Sequence, residues 1–473
     1  MTSALIHDLV EWLDASPDDV ALVTSTESLT VSEVADRVSA LAGVLRARKV
    51  RPGKLVAVSS DGIGEFIGMC AVQAVNATSV ITPSEEEWQN SGAAVLVHDN
   101  RAWAPDTAII IDPDTHSRWD GWRTSRDTED DQVVHACLTS GTTGKPKIVE
   151  FSRVIADRRT DRYIKAWPIQ SAVSLFRLSA IAGFNAAIAA VRQREPYVVI
   201  TSFDRPSVEL LATGHFTHLS GAPNQVVQAI RALREAGLTV TFQTIRTAGA
   251  PQNAQFRKVA EEVCTGVVSN LYGATECGSA ALSTDIAAVA FRGVPMLGTE
   301  FEVVDDNRTV VDEGVEGDVR YRTPAQCLYY RVDGERQEVA DEHGWFYPGD
   351  RGFIDTDGCI NVIGRIGDVI NIAGVKINPL HIEADIEALD GVNDAACVPV
   401  TFPDGLTHLL LAVVVRDKTA YDAAVAAVSS RPLAGRPNMV VDIPEIPRNR
   451  NGKIDRALLA DKLTSAIRIE PTP

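Results

Sequence analysis

The sequence predicts an α/β protein with a large multi-sheet N-terminal part and a small α+β part at its C-terminus. Helical and strand patterns alternate along most of the chain, which is typical of layered α/β structure. The chain has 473 residues, more than a single core usually contains. Strand patterns and a capped helix recur after residue 366. We therefore expect two domains, residues 1–365 and residues 366–473.

Two amphipathic helices are predicted at the start of the chain. The first has leucines four residues apart, at Leu5, Leu9 and Leu13. The second follows Thr30 and Glu33, whose spacing fits a capping box. Its apolar face consists of Val34, Val38, Leu41 and Leu45.

Three short apolar runs are predicted to be strands of the N-terminal part. They are Leu55–Val58, which follows a turn at Gly53, and the later runs Ala108–Ile111 and Tyr197–Ile200. Residues 80–133 are polar and contain acidic clusters. We expect this polar region to form an edge of the N-terminal part.

The C-terminal part is predicted to begin near residues 364–368. Just before it, two apolar runs flank Asp357-Gly358, a pattern typical of a β-hairpin. Beyond it, Asn378 and Pro379 are suited to begin a helix. The inward residues of that helix would be Ile382, Ile386 and Leu389. The runs Leu409–Val415 and Met439–Ile443 are predicted strands.

Composition excludes several classes of function. A formal net charge of −18 disfavours nucleic-acid binding, because contacts to phosphate dominate that affinity. No apolar run is long enough for a membrane span, and no signal peptide is evident. The seven cysteines form no metal-binding or disulfide pattern, so we expect reduced thiols in the cytoplasm.

A loop rich in hydroxyl groups and glycines spans Thr139–Lys147. Its glycines let backbone amides point at an anion, and its hydroxyls and lysines add donors and positive charge. It is not a Walker A loop, because only two residues separate Gly141 from Gly144. The composition therefore suits phosphate. The residues expected to contact phosphate are Thr139, Ser140, Gly141, Thr142, Thr143, Gly144 and Lys147.

Four later segments complete an ordered set with this loop. They are Asn270–Glu276, Gly344–Asp350, Gly364-Arg365 with Gly374–Pro379, and Asn451–Asp455. In this order the five segments resemble the core motifs of the adenylate-forming superfamily, which includes acyl- and aryl-CoA ligases, nonribosomal peptide adenylation domains and firefly luciferase. The resemblance extends from about Ser16 to Arg456. It implies an adenylation core followed by a mobile lid.

The resemblance implies that a carboxylic acid reacts with ATP to give an acyl adenylate and pyrophosphate. The Thr139–Lys147 loop would hold the β- and γ-phosphates. Thr139 and Glu276 would hold Mg²⁺, a cation that prefers oxygen ligands. Lys453 would reach from the lid to the α-phosphate and the carboxylate of the acid.

Three further segments would hold the nucleoside. By resemblance, Tyr272 would stack on adenine, Asp350 would bind the ribose hydroxyls, and Arg365 would contact ribose or phosphate. The other residues that the resemblance places around the nucleotide are Gly249, Ala250, Pro251, Asn270, Leu271, Gly273, Ala274 and Thr275.

A second half-reaction would follow rotation of the lid about Gly367. The loop of Gly374, Val375 and Lys376 would then line a tunnel for the thiol of CoA or of a pantetheine arm. Three positions depart from the family pattern. Gly367 stands where relatives carry Asp or Lys, Pro348 where they carry Thr, and Ile148 where they often carry Gly.

The acid pocket is predicted between residues 174 and 282. Its candidate residues are Phe176, Arg177, Phe184, Asn185 and Gly278. No Asp stands where amino-acid-activating relatives usually place one, and small residues at 278–281 leave room for apolar bulk. An aryl or hydrophobic acyl carboxylate is therefore favoured over an α-amino acid. Arg177 would either pair with a second carboxylate or polar substituent, or point outward.

The sequence leaves the acyl acceptor open. Gly374–Glu383 looks more like CoA ligases than peptide synthetases, which favours CoA. A separate carrier protein or an amine would also suit a freestanding enzyme. Pro348, Gly367 and the short polar segment also fit a binding homologue without activity, and a luciferase-like oxygenase is a third hypothesis.

Overall fold

A computed structural model describes most of the chain. The described residues are 3–99, 102–110, 119–123, 130–139, 147–167, 170–285, 290–332, 335–368, 370–372, 375–402, 406–433, 435–449 and 453–467. Helices and strands alternate through them, which confirms the predicted α/β class.

The described residues contain twelve α-helices. They are α1 Ala4–Ala15, α2 Val31–Ala47, α3 Ile63–Ala74, α4 Glu85–Ser91, α5 Arg153–Ala166, α6 Ile181–Gln193, α7 Arg205–Thr213, α8 Pro223–Glu235, α9 Ala254–Val263, α10 Pro379–Glu387, α11 Lys418–Ser429 and α12 Arg456–Ile467. Short turns of 3-10 helix lie at Asp120–Arg123 and Ile366–Asp368. None of these helices is both long and apolar enough to cross a membrane.

The strands of the described residues form five sheets. In the first half of the chain they are β1 Val20–Val23, β2 Ser28–Thr30, β3 Leu55–Ser59, β4 Thr78–Ile81, β5 Val95–His98, β6 Ile109–Ile110, β7 Val133–Thr139, β8 Lys147–Ser152, β9 Ala172–Ser174, β10 Tyr197–Val198, β11 His218–Gly221 and β12 Phe242–Ala248. In the second half they are β13 Cys264–Ala274, β14 Gly278–Ser283, β15 Phe291–Pro295, β16 Glu300–Val304, β17 Gly317–Arg322, β18 Tyr329–Val332, β19 Glu335–Glu338, β20 Asp350–Ile354, β21 Ile360–Arg365, β22 Ile370–Ile372, β23 Val375–Ile377, β24 Val392–Thr401, β25 Thr407–Val415 and β26 Met439–Asp442.

Two large mixed sheets carry the N-terminal part. One has eight strands in the order β19-β18-β8-β7-β4-β3-β5-β6, and the other has ten in the order β16-β17-β20-β21-β15-β14-β13-β12-β11-β9. Strands β11, β12 and β13 run parallel, so their carboxyl ends meet at one edge. In open α/β sheets this is the edge where ligands usually bind.

The opening helices follow the predicted patterns. Leu5, Leu9 and Leu13 are buried on α1. Thr30 Oγ1 accepts from the Glu33 backbone amide while the Glu33 carboxylate accepts from the Thr30 amide, so the predicted capping box is present. Such a cap stabilises a helix by about 1 kcal/mol. The apolar faces of α1 and α2 join α3 and α6 in one core cluster.

The predicted strands differ in how fully they form. The run at residues 55–58 becomes β3, which is parallel to β4 and β5. Ile109–Ile110 of the run predicted at 108–111 forms β6 at the outer edge of the eight-stranded sheet, and Ile111 lies outside the described residues. Of the run predicted at 197–200, Tyr197–Val198 forms β10, and Val199 makes a single parallel bridge to Ser174. Propensity predicted these runs, but pairing partners limit their length.

The predicted hairpin and helix near the C-terminal part are present. Strands β20 and β21 pair antiparallel around Gly358, whose φ of 74° suits a glycine turn. The Asn378 side chain caps α10 by accepting from the Leu380 amide, and Pro379 is its first residue. Ile382 and Ile386 are buried on that helix.

The core clusters divide along the chain. Two apolar clusters contain only residues from 370 onward, from α10, α11, α12 and strands β22 to β26. The other four contain only residues before 363. The two strands predicted at 409–415 and 439–443 lie in the later group as β25 and β26, which pair in parallel.

Candidate active site

The predicted phosphate loop connects the two strands of a hairpin. Thr139 and Lys147 are register partners at the end of β7 and β8, and Thr139 Oγ1 donates to the Lys147 carbonyl oxygen at 3.3 Å. Five of the predicted phosphate contacts lie outside the described residues, namely Ser140, Gly141, Thr142, Thr143 and Gly144. Ile148 is buried in the core of this sheet, which explains why a large residue is accommodated there.

A tyrosine that the sequence analysis missed links two predicted site residues. Lys147 Nζ lies 4.7 Å from the ring centroid of Tyr330, a favourable cation–π distance. The Tyr330 hydroxyl donates to Glu276 Oε1 at 2.8 Å. Burial and the negative charge of Glu276 raise the pKa of Tyr330, so the phenol remains a donor. Tyr330 therefore joins Lys147 and Glu276 in one group of contacting side chains.

A buried arginine, also missed, holds the turn that carries Glu276. Arg159 on α5 is 3% exposed. Its guanidinium donates to the carbonyl oxygens of Thr275 and Glu276, each at 2.7 Å, and of Ala325 at 2.9 Å. Three backbone acceptors thus fix the direction in which the Glu276 side chain leaves the turn. The only signal in the sequence is that Arg159 falls on the inward face of α5, beside the buried Ile155.

The predicted ribose ligand Asp350 lies against two other predicted residues. Tyr272 Oη donates to Asp350 Oδ2 at 2.5 Å, and Arg365 Nε lies 3.2 Å from Oδ1. Asp350 and Arg365 are register partners on β20 and β21. Burial, and then the charge of Asp350, raise the pKa of Tyr272. The three residues form one polar group.

The Tyr272 ring belongs to an aromatic cluster. Its centroid lies 5.3 Å from that of Phe291, 6.3 Å from that of Phe301 and 5.9 Å from that of Tyr321. Such pairs are favourable at these distances. Because the ring is only half-buried, part of it remains accessible. Stacking on adenine therefore remains a prediction that this packing permits.

The other predicted nucleotide contacts follow the carboxyl ends of β12 and β13. Gly249, with φ of 85°, Ala250 and Pro251 continue directly from β12. Asn270 and Leu271 pair with the last two residues of β12. Gly273 and Ala274 end β13, and a Cβ on Gly273 would lie 2.1 Å from a backbone oxygen of β14, so only glycine fits there. The parallel pairing brings these distant segments to one edge.

A narrow cavity of about 20 Å³ lies between α5, α6 and the ends of β12, β13 and β14. Asn185 and Gly278 line it, as predicted. Its other lining residues are Arg159, Arg162, Tyr163, Ala166, Arg246, Leu271, Ser279, Met296 and Ala325. Arginine and other polar side chains predominate, which differs from the expected apolar bulk.

Three predicted pocket residues are not among those that line this cavity. Phe184 is fully buried and stacks on His135, with ring centroids 3.9 Å apart. It precedes Asn185 on α6, and one residue turns a helix by about 100°, so Phe184 faces the core and Asn185 the cavity. Arg177 is exposed, and Phe176 is half-buried beside it.

Two of the residues predicted for the lid and its hinge, Lys453 and Gly367, occupy exposed turns. Lys453 is exposed, its amide donates to Asn449 Oδ1 at 3.1 Å, and its carbonyl accepts from the Asn449 amide at 2.8 Å. Gly367 lies in the 3-10 turn, and a Cβ there would meet no atom within 4 Å. Val375 and Lys376 belong to β23, whereas Gly374 lies outside the described residues.

Comparison with known proteins identifies relatives across the whole chain. The sequence profile of a family described as AMP-binding enzyme matches residues 9–330. The chain is 23% identical over 490 residues to a 2-succinylbenzoate–CoA ligase of Listeria monocytogenes, covering 96% of this chain and 99% of the relative. It is 27% identical over 354 residues to a 3-hydroxybenzoate–CoA ligase of an Aromatoleum species, covering 70% and 67%.

A solved structure shares the fold. The anthranilate CoA ligase AuaEII in complex with anthranoyl-AMP superposes with a TM-score of 0.82 at 17% sequence identity, covering 98% of each chain. At this identity the likeness concerns the arrangement of helices and sheets, which agrees with the fold described above.

Proposed function

Because the chain belongs to the AMP-binding enzyme family, we propose that it activates a carboxylic acid with ATP and transfers the acyl group to the thiol of CoA. In the first step a carboxylate oxygen attacks the α-phosphorus of ATP, pyrophosphate leaves, and an acyl adenylate forms. In the second step the thiol attacks the acyl carbon and AMP leaves. The enzyme is thus an AMP-forming acid–thiol ligase.

One observation carries this proposal: Lys147 and Glu276 both contact Tyr330, Lys147 at the ring and Glu276 at the hydroxyl. A cation and a carboxylate around one small volume suit a polyphosphate and the divalent cation that accompanies it. Arg159 fixes the Glu276 turn from behind, so the carboxylate is held in place before ligand arrives. Preorganised charge of this kind supplies much of the rate enhancement in phosphoryl-type transfer.

The donor set at this position fits Mg²⁺. Glu276 offers a carboxylate, and Thr139 uses its proton on the Lys147 carbonyl, so its hydroxyl oxygen keeps lone pairs for a cation. Both residues would hold the ion, and a bound Mg²⁺ would neutralise charge on the phosphates. Lys147 would bind phosphate directly, with the loop 140–146.

The nucleoside would lie at the edge formed by β12 and β13. Asp350 would accept from the ribose hydroxyls, which requires the Tyr272 hydroxyl or Arg365 to share that carboxylate. The turn at Gly249 and the half-buried Tyr272 ring would enclose adenine. This arrangement agrees with the usual position of nucleotides at the carboxyl ends of parallel strands.

The division of the cores supports a domain boundary near residue 365. We place an adenylation core at residues 1–365 and a lid at 366–473, because the apolar clusters after residue 370 are separate from the earlier ones. Gly367 would act as the hinge. Lys453 would act in the first step, and the segment of Gly374, Val375 and Lys376 would line the thiol tunnel in the second.

CoA is the favoured acceptor. Two of the relatives that align with most of this chain are named as CoA ligases, and both names specify aromatic acids. A carrier-protein pantetheine or an amine are the alternative acceptors, and an inactive homologue is the alternative to an enzyme.

All seven cysteines carry free thiols, which supports a place in the reducing cytoplasm.

The experiment is pyrophosphate release from ATP with a panel of aryl, alkyl and amino acids, with and without CoA. We expect release with one acid class, stimulated by CoA, and a thioester in the mass spectrum. The matched variant Glu276→Gln should lower release by roughly 100-fold or more, as loss of one preorganised charge does. No pyrophosphate release with any acid of the panel would favour the inactive homologue. Pyrophosphate release without a thioester would favour another acceptor.

A further inference from the structure

We propose that the acid activated by this enzyme carries a second carboxylate, which Arg246 binds inside the narrow cavity. The inference rests on the proposed function, because it names the substrate class of the same site. It is based on the hydrogen bonds of the arginines that line the cavity. The role of pairing with a second carboxylate, which the sequence suggested for the exposed Arg177, passes to the buried Arg246.

Arg246 is a buried cation with unused donors. It lies on β12 between β11 and β13, with Ser220 and Ser269 as register partners, and it is 5% exposed. Its guanidinium stacks on Trp167, 4.0 Å from the ring centroid, and Nη2 donates to the Ala166 carbonyl. Nε and Nη1 have no hydrogen-bond partner in the described structure. These two atoms carry three N–H donors.

The other two arginines of the cavity differ from Arg246. Arg159 gives its donors to three backbone carbonyls. Arg162 donates to the Leu297 and Ser279 carbonyls and to a threonine hydroxyl. Of the three, Arg246 is therefore the one equipped to bind a ligand.

No carboxylate of the described residues lies within 4.0 Å of the Arg246 nitrogens. The titratable groups that act on it are Tyr163 of α5 and His218 of β11. Neither carries negative charge near neutral pH: burial raises the pKa of Tyr163, so the phenol keeps its proton, and burial lowers the pKa of His218, so the imidazole is neutral. In a protein of net charge −18, the positive charge of Arg246 in this cavity is therefore not compensated by a nearby carboxylate.

An uncompensated buried charge is costly. Removing a guanidinium from water costs several kcal/mol unless an anion or several hydrogen bonds compensate it. Stacking on Trp167 and one backbone acceptor compensate only part of this cost. A substrate carboxylate would supply the missing charge and acceptors, and charge-assisted bonds of this type are strong.

The shape and polarity of the cavity favour a compact group. Its volume of about 20 Å³ is room for roughly one water molecule, so even a carboxylate enters only when the lining side chains move apart. A long alkyl chain would have to displace several side chains. Asn185 lines the same cavity, and its Oδ1 also lacks a partner, so it can accept from a hydroxyl or amide donor of the acid, while the carboxylate itself is left to Arg246. Ala280 and Ala281, which suggested apolar bulk, are buried in the core instead.

The test compares ATP–pyrophosphate exchange for matched acids. The two acids of a pair share one carbon skeleton. One carries a second carboxylate and the other a neutral amide at that position, for example isophthalate and its monoamide, or succinate and its monoamide. We expect kcat/KM to be about 10- to 100-fold higher for a diacid, the range for hydrogen bonds to a charged group. A preference for the monoamide, or for the matching hydroxy acid, would overturn the inference.

Two variants locate the effect. Arg246→Met should lower kcat/KM for diacids to the value for the matching monoamides, whatever the overall rate of the variant. Arg246→Lys should retain part of the preference for diacids because it keeps the charge. Arg177→Met is the control and should retain all of it. If Arg246→Met fails to fold, the wild-type comparison and Arg246→Lys still decide. Exchange with monoacids alone would defeat this inference and spare the proposed function, whereas no exchange with any acid would defeat the proposed function.

Discussion

Arg159 and Arg246 line the same cavity, and both are buried, but their donors are used differently. Arg159 is saturated by backbone carbonyls next to Glu276, whereas Arg246 keeps two nitrogen atoms without a partner. The end of the site nearest the predicted phosphates is therefore complete without ligand. The acid end is completed by a substrate. In this account Arg159 stabilises the structure of the site, whereas Arg246 determines which acid the site binds.

The largest effect is expected from Arg159→Met, which tests whether the turn that carries Glu276 depends on Arg159. Three buried carbonyls would lose their donor, and each unsatisfied group costs about 1–3 kcal/mol. We expect the free energy of unfolding in urea to fall by about 3 kcal/mol or more, with loss of pyrophosphate exchange for every acid. Arg158→Met, at the exposed neighbouring position, is the control. Unchanged stability and exchange would show that the turn does not depend on Arg159.

Lys453→Ala tests a third kind of residue, one that does not line the cavity and is expected to act in catalysis without stabilising the fold. Lys453 is exposed, so its removal should change the free energy of unfolding by no more than about 0.5 kcal/mol. We expect adenylate formation to fall by roughly 100- to 1,000-fold. Thioester formation from supplied acyl adenylate should persist. Loss of both steps, or a similar loss in the control Lys462→Ala, would count against the assigned role.

Tyr330→Phe tests whether the phosphate end is preorganised through one hydroxyl. It removes the hydrogen bond to Glu276, which is worth about 1.5–3 kcal/mol for a charged acceptor. We expect a weaker response to Mg²⁺, seen as a higher concentration for half-maximal exchange, with an unchanged preference among acids. Tyr329→Phe is the exposed control on the same strand. A changed acid preference would mean that the two ends are not separate.

Glu387→Gln extends the comparison to a half-buried acid outside the cavity. Burial, and then the charges of Asp394 and Glu383, raise the pKa of Glu387 from 4.5 to about 8. The folded state thus keeps a proton that the unfolded state loses, so stability falls as pH rises between these two values. Relative to wild type, the Gln variant should gain on the order of 1 kcal/mol by pH 9. Thermal unfolding at several pH values would show this, with the exposed Glu445→Gln as control; a pH-independent difference would contradict it.

Local patterns in the sequence predicted local structure well. The capping box at Thr30, the hairpin around Gly358 and the cap at Asn378 each depend on residues close in sequence, and each is present. The predicted strand at 197–200 is shorter than expected, because its partner on β1 pairs with only two residues.

The missed residues depend on distant contacts. Arg159 bonds to a carbonyl 117 positions away, and Tyr330 to a carboxylate 54 positions away. Arg246 stands out only because its donors lack partners, which no sequence pattern reveals. The same limit explains Phe184: its neighbour Asn185 faces the cavity, and single-residue differences in helix orientation decide which of the two is core.

The central claim, that the enzyme forms an acyl adenylate, is tested most directly by isotope transfer. The acid is labelled with oxygen-18 in its carboxylate, and AMP is examined by mass spectrometry after turnover with ATP and CoA. Attack of the carboxylate on the α-phosphorus predicts that AMP acquires one labelled oxygen, because the acyl–oxygen bond breaks in the second step. Unlabelled AMP, or label found in inorganic phosphate with ADP as the other product, would contradict the account.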